Sequence, residues 1–143
     1  MKKTLCLILA FVVILTAFAG CSGKKSEKEV IDLTAKSGEE AYAEIFKMIG
    51  SPDDYKGKTV KVRGEFEYAD DEATGVRHYS CMVSSDEDGK QGIEFKTAEE
   101  LDFVDYPVIF SEIEVEGTFD TYTLDGSEVQ VPILKNAKFT EME

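Results

Sequence analysis

The stretch VKVRGEFEY, residues 60–68, alternates apolar and charged side chains along its whole length. In an extended chain this pattern puts one set on an inner face (Val60, Val62, Gly64, Phe66 and Tyr68) and the other on an outer face (Lys61, Arg63, Glu65 and Glu67). A period of two predicts a long strand with one buried face. Gly64, in the middle of the inner face, predicts a sharp bend of the kind found at a barrel corner.

The stretch IEVEGTF, residues 113–119, repeats this arrangement with Gly117 at the same offset. Three further strands are predicted over residues 76–84, 92–96 and 129–139, and Asp125-Gly126 is a hairpin turn. In the middle two strands the predicted inner residues are Tyr79, Cys81, Val83, Ile93 and Phe95, and the outer ones are His78, Ser80, Met82, Glu94 and Lys96. Pro132 places the start of the last strand at an edge or bulge.

Five strands, two of them long and bent, predict a mainly β fold: a five-stranded, OB-like Greek-key barrel. An immunoglobulin-like sandwich would need about seven strands and often has a core Trp, whereas this chain contains no Trp. One helix is predicted before the barrel, over residues 38–49. Ser37 and Glu40 form its capping box, and Gly50 and Pro52 follow its end.

The first twenty residues carry Lys2 and Lys3 before an apolar run from Leu5 to Ala19. This run is short for a membrane helix and is typical of a secretory signal. Residues 18–21, Phe-Ala-Gly-Cys, resemble the lipobox of bacterial lipoproteins. The resemblance implies that Cys21 receives fatty acyl groups such as palmitate and anchors the chain at the extracytoplasmic face of a cell membrane or envelope. We therefore expect a signal peptide at 1–20, a lipidated cysteine and polar tether at 21–36, and an OB-like domain at 37–143.

Three parts of the barrel sequence resemble OB-fold domains of bacterial lipoproteins: YKGKTVKVRGEF (55–66), GIEFK (92–96) and SEIEVEGTFDTY with VPILKNAKF (111–122 and 131–139). They are also similar to the extracytoplasmic OB domain of membrane proteins that accompany permeases. The likeness covers residues 52–140 and implies an envelope protein or transporter as partner. Members often carry a Cys-Cys pair before Gly-Ile-x-Phe, but residues 86–91 of this chain contain no cysteine.

The charge balance is strongly acidic. The net charge of −13 becomes −15 once Lys2 and Lys3 leave with the signal peptide. Nucleic acid needs cationic contacts, and anionic lipid surfaces repel an acidic protein, so the charge favours solubility or a cationic partner. Cys6 leaves with the signal and Cys21 is lipidated, so Cys81 has no partner for an intramolecular disulfide. We expect a buried thiol there, with pairing to another chain as the alternative.

The sequence shows no set of residues that is typical of a catalytic site, so we expect no enzyme, no cofactor and no metal site. The chain has one histidine and lacks nucleophile, phosphate-loop and Cys-His metal motifs. His78 and Cys81 lie three apart on a strand and therefore point to opposite faces. The acidic loops at 70–72 and 86–88 do not have EF-hand spacing.

The outer face of an OB barrel is its usual ligand surface. Here the predicted ligand face comprises Arg63, Glu65, His78, Ser80, Glu94 and Tyr122, with His78 and Glu94 as neighbours. Its strands carry no aromatic platform for bases, whereas Tyr68, Tyr106 and Tyr122 lie near loops. The sequence thus predicts a non-catalytic, lipid-anchored binding or accessory module for a protein ligand. The alternative is a cation-binding lipoprotein that serves a membrane transporter.

Overall fold

The computed structural model describes residues 29–86 and 89–143. The predicted signal peptide, Cys21 and the first part of the tether lie outside these residues, as do Glu87 and Asp88. The elements, in chain order, are β1 (Val30–Asp32), α1 (Gly38–Gly50), β2 (Thr59–Asp70), β3 (Arg77–Ser85), β4 (Gly89–Thr97), β5 (Glu112–Thr123) and β6 (Gln130–Glu141). Short 3₁₀ turns span Pro52–Asp54 and Phe103–Asp105.

Strands β2 to β6 form a closed barrel. Their order is β2-β3-β4-β6-β5, and a second pairing between β2 and β5 closes the sheet. The β4–β6 pair is parallel and the other barrel pairs are antiparallel. The predicted mainly β, OB-like five-stranded barrel with one N-terminal helix is confirmed, because this order and this parallel pair are those of an OB-type Greek key.

Gly64 lies where β2 changes partner. Residues 59–65 pair with β5, whereas residues 65–70 pair with β3. A Cβ atom added at Gly64 would lie 2.3 Å from the Met82 carbonyl oxygen, so only glycine permits this approach of the two strands. Gly117 lies at a register shift between β5 and β6, and an added Cβ there would lie 2.9 Å from the Leu134 Cβ. Both glycines predicted to bend the sheet therefore lie where its geometry changes.

The inward-facing residues of the five strands fill the barrel. The fully buried side chains include Val60, Val62, Phe66, Cys81, Ile93, Ile113, Val115, Phe119 and Leu134. Each large apolar side chain contributes about 1.5–3 kcal/mol when it is fully buried. The barrel core is thus built from the alternation that the sequence displays.

Helix α1 packs an apolar face, Ala41, Ile45 and Met48, into this core. Its predicted capping box is present. The Ser37 hydroxyl accepts a hydrogen bond from the Glu40 N–H at 3.3 Å, and the Glu40 carboxylate accepts one from the Ser37 N–H at 3.1 Å. At the other end the Ser51 N–H donates to the Lys47 carbonyl. The cap satisfies backbone donors that the helix itself leaves without partners.

The folded part includes residues that the sequence assigned to the tether. Val30–Asp32 form β1, which pairs in parallel with Thr59–Lys61 of β2. Leu33 is buried in the core, and its N–H donates to the Lys61 carbonyl. The assigned tether of residues 21–36 is therefore too long. The apolar residues Val30, Ile31 and Leu33, which follow the last lysine-rich stretch, are the part of the sequence that indicates this additional strand.

Candidate functional site

Three of the six predicted ligand-face residues form one cluster: His78 on β3, Glu94 on β4 and Tyr122 near the end of β5. The Tyr122 hydroxyl lies 3.0 and 2.9 Å from the two Glu94 carboxylate oxygens. The His78 Nδ1 lies 3.1 Å from a Glu94 oxygen and 3.3 Å from the Tyr122 hydroxyl. The cluster thus joins three strands through side chains.

The path of the β5–β6 hairpin explains how Tyr122 reaches this cluster. The β5–β6 ladder extends out to Thr123 and Gln130, whereas the β4–β6 ladder begins only at Ile133. The end of the hairpin therefore extends past its attachment to β4. Tyr122 holds this extension against the outer face of β3 and β4.

The protonation of Tyr122 suits this role. Burial, and then the hydrogen bond to the Glu94 carboxylate, raises the pKa of Tyr122 to about 12. The hydroxyl therefore stays protonated at neutral pH and donates to the carboxylate. The Tyr122 and His78 rings are stacked, with centroids 6.3 Å apart and planes 12° apart. The two rings are thus held nearly parallel beside the Glu94 carboxylate.

A cleft of about 640 Å³ opens beside the cluster. The cleft is lined by residues 76–79 at the start of β3 and by residues 94–101, which cover the end of β4 and the loop that follows it. Tyr106, Tyr122 and Ile133 complete the lining. Counted along the barrel, β3 and β4 are its second and third strands. This is the face on which OB-folds bind their ligands.

Arg77 forms one rigid edge of the cleft. Its guanidinium makes two hydrogen bonds to the Asp70 carboxylate, at 2.6 and 2.8 Å. The Arg77 Cζ also lies 4.4 Å from the ring centres of both Tyr68 and Phe103. The hydrogen bonds from Arg77 hold the pKa of Asp70 below its usual value. The ion pair and the two rings fix the side chain in place.

The remaining edge of the cleft carries exposed charges of both signs, Lys96, Glu99 and Glu100. Together with the Glu94 carboxylate they give the cleft polar groups beside the aromatic side chains that also line it, Tyr79, Phe95 and Tyr106. Such a lining can take a mixed polar and apolar ligand, such as a polypeptide segment.

The other predicted face residues lie elsewhere or make other contacts. Arg63 forms an ion pair with Glu114 at 3.2 Å, and Lys90 forms ion pairs with both Glu65 and Glu67. Arg63 and Glu65 line a second cleft, of about 430 Å³, beside Leu33 and Phe110. Ser80 lies opposite Glu94 in the β3–β4 ladder and opposite Glu67 in the β2–β3 ladder. The single predicted face is therefore divided between two clefts.

Two of the three tyrosines expected near loops have packing roles. Tyr106 stacks on Tyr79, with ring centroids 3.9 Å apart, and on Phe139 at 5.6 Å, so it closes one end of the barrel. Tyr68 lies under Arg77 and against Phe103. Tyr122 alone of these three belongs to the polar cluster. The role of Arg77 was missed because nothing in the sequence shows that Phe103 reaches it.

Cys81 is buried in the core, as predicted. Burial raises the pKa of the Cys81 thiol to about 12, so it is protonated and shielded. Such a thiol acts as a small apolar side chain rather than as a reactive group.

Comparison with protein-family models and with curated proteins found no match for this chain. Across residues 29–86 and 89–143, no three or more His, Cys, Asp or Glu side chains are grouped so that they could hold a metal ion. In the same part of the chain, no helix has the length and apolar character needed to cross a membrane.

Proposed function

We propose that this protein is a lipid-anchored, extracytoplasmic OB-fold module that binds a protein ligand without catalysis, as an accessory to an envelope protein or transporter. One observation carries the proposal. The hairpin end is held over the β3–β4 face by Tyr122, Glu94 and His78, and this leaves a cleft of about 640 Å³ where OB-folds bind ligands.

The chemistry of the cluster supports binding rather than catalysis. With its pKa at about 12, the Tyr122 hydroxyl is a poor nucleophile and a poor general base near neutral pH. The Glu94 carboxylate already accepts from Tyr122 and contacts His78. The Cys81 thiol is shut in the core. The groups of the cluster thus satisfy one another.

The choice of a protein ligand rests on charge and on ring placement. A mature charge of −15 opposes nucleic acid. The Tyr122 hydroxyl and the His78 ring are both engaged with the Glu94 carboxylate, so these two rings are held within a polar cluster. The charged edges of the cleft, Lys96 with Glu99 and Glu100, suit a polypeptide with charges of both signs.

The proposed anchor would keep the cleft near the membrane. Residues 22–29 contain no apolar residue, and eight extended residues span at most about 28 Å. Two or more acyl chains on Cys21 would give stable attachment. A barrel held at this range can meet the extracytoplasmic parts of membrane proteins.

Site-specific photocrosslinking in the native membrane tests the proposal. A photoreactive residue replaces Lys96 at the cleft, or Lys138 on the exposed side of β6 as the matched control. We expect a discrete protein adduct from position 96 that disappears in Tyr122→Ala, and none from position 138. Equal adducts at the two positions, or none at position 96, would contradict the proposal.

A second candidate is cation binding in the service of a transporter, and it is supported by the acidic balance of the chain. The pair His78 and Glu94, with Nδ1 3.1 Å from a carboxylate oxygen, would supply two of the four ligands that a Zn²⁺ site needs. Thermal melts with 1 mM Zn²⁺ or Ca²⁺ test it, because a ligand stabilises the state that binds it. A rise in Tm that Glu94→Gln abolishes supports this candidate, and an unchanged Tm removes it.

A further inference from the structure

The connection between β4 and β5 exposes a run of large apolar side chains. We name residues 103–110 the apolar segment. Its exposed members are Phe103, Val104, Val108, Ile109 and Phe110, and the residues Val104 and Val108 are 86% and 74% exposed. Single exposed apolar residues are ordinary, but here five of them fall within eight positions of one connection, and a concentration of exposed apolar surface marks an interaction site.

The backbone presents Phe110 in a fixed and strained conformation. Phe110 has a φ of 72°, which is unusual for a bulky residue. Its N–H donates to the Phe66 carbonyl at 2.8 Å, and the N–H and hydroxyl of Ser111 donate to the Val108 carbonyl at 3.0 and 2.7 Å. Despite these bonds Phe110 is 60% exposed. Strain that is retained in order to expose an aromatic ring points to a function for that ring.

The other end of the segment is fixed too. The Phe103 ring packs edge-on against Tyr68, with centroids 5.3 Å apart, under the Arg77 guanidinium. The segment is thus tied to the barrel near both ends, with Val104 and Val108 projecting between. A surface that is ordered before it binds loses less entropy on binding.

The border of the apolar segment is acidic. Residues 98–112 contain five carboxylates and no Lys or Arg (Glu99, Glu100, Asp102, Asp105 and Glu112), and all five are exposed. The two cations near its rings are already paired: Arg77 with Asp70, and Lys90 with Glu65 and Glu67. A partner therefore meets apolar side chains with negative charge around them.

We propose that the apolar segment docks against an apolar surface of a partner protein that is bordered by Lys and Arg. Charge complementarity selects this occupant. A second copy of the chain would bring the same acidic border, and the anionic surface of a bilayer would be repelled. This contact goes beyond the function proposed for the cleft of about 640 Å³, because the exposed side chains of the apolar segment do not line that cleft.

Binding of a defined probe tests this surface. The probe is a fluorescent 18-residue amphipathic peptide of Leu and Lys, and its counterpart has Glu in place of Lys. The protein is the mature lipidated chain in phosphatidylcholine nanodiscs, with empty nanodiscs as the blank. The test variant is Val104→Ser with Phe110→Asn, since Asn tolerates a positive φ. The matched control is Leu124→Ser with Val129→Ser, which removes two exposed apolar side chains from the β5–β6 loop.

We expect the test variant to bind the Leu/Lys peptide at least tenfold more weakly than the wild type, and the control variant to stay within twofold. The Leu/Glu peptide should bind at least tenfold more weakly than its basic counterpart. Unchanged melting curves will show that the variants are folded. Tyr122→Ala should retain peptide binding while losing the Lys96 adduct, so the two proposals can fail separately.

Three outcomes would overturn the proposal. The first is equal peptide binding by the test variant and the wild type. The second is binding to phosphatidylglycerol vesicles that the test variant loses, which would identify a lipid surface. The third is a dimer in analytical ultracentrifugation that the test variant loses, which would identify a second copy.

Discussion

The substitution Gly64→Ala tests the bend that closes the barrel. The new Cβ would lie 2.3 Å from the Met82 carbonyl oxygen, 2.8 Å from its carbon and 3.1 Å from the Cys81 Sγ. An ordinary contact requires the strands to separate by about 1 Å, and overpacking of this kind costs about 1–3 kcal/mol. Weakening the neighbouring β2–β3 hydrogen bond adds about 1 kcal/mol. We expect a loss of about 2–4 kcal/mol in the free energy of unfolding, or about 8–16 °C in Tm.

The matched control is Gly50→Ala, at the last residue of α1, where an added Cβ meets no atom within 4 Å. This change should leave stability unchanged or raise it by up to about 1 kcal/mol, because alanine is the better helix former. Urea unfolding followed by circular dichroism measures both variants on a soluble chain that starts at Ser22. A Gly64→Ala protein within about 0.5 kcal/mol of wild type would show that β2 and β3 do not approach as described.

The remaining predictions concern the anchor, the helix cap and two titrating groups. Cys21→Ala should move the protein from the membrane fraction to the soluble fraction; full retention with lipid would refute lipidation. Ser37→Ala should cost about 1 kcal/mol by removing the capping box, whereas Ser51→Ala, which removes no side-chain cap, should cost less than half of that. The fold raises the pKa of Tyr122 from 10 to about 12, so the free energy of unfolding should fall as the pH rises from about 10 to 12. Tyr122→Phe should remove the share of this fall that Tyr122 causes. It should also remove the rise in tyrosinate absorbance that accompanies the titration of Tyr122. Cys81 should react with iodoacetamide at pH 8 only in urea; rapid labelling of the native protein would contradict its burial.

The barrel could be predicted because the two long strands β2 and β5 show the same alternation of apolar and charged residues around a glycine. Alternation fixed which residues face inward, and Gly64 and Gly117 marked the points where a side chain would prevent close approach. Strand β1 could not be predicted in this way. It has three residues and pairs in parallel with a strand about thirty positions away, so a period of two has no room to appear.

The site was predicted only in part, because alternation gives the face of a residue but not its position along the barrel. His78 and Glu94 are neighbours on adjacent strands, so their pairing could be foreseen. The approach of Tyr122 depends on how far the β5–β6 hairpin extends past β4, which is a property of the three-dimensional path. Likewise, Arg63 is apart from this cluster because it pairs with β5, and Glu65 is apart from it because it pairs with Met82, four positions along β3 from His78.

The contact between Tyr122 and His78 is the feature on which the proposed cleft most depends, and nuclear Overhauser spectroscopy on the soluble chain measures it directly. With stacked rings whose centroids lie 6.3 Å apart, ring protons of Tyr122 should show cross-peaks to ring protons of His78, and these should vanish in Glu94→Ala. Absence of these cross-peaks in the wild-type protein, with Tyr122 instead contacting only its own hairpin, would contradict the account.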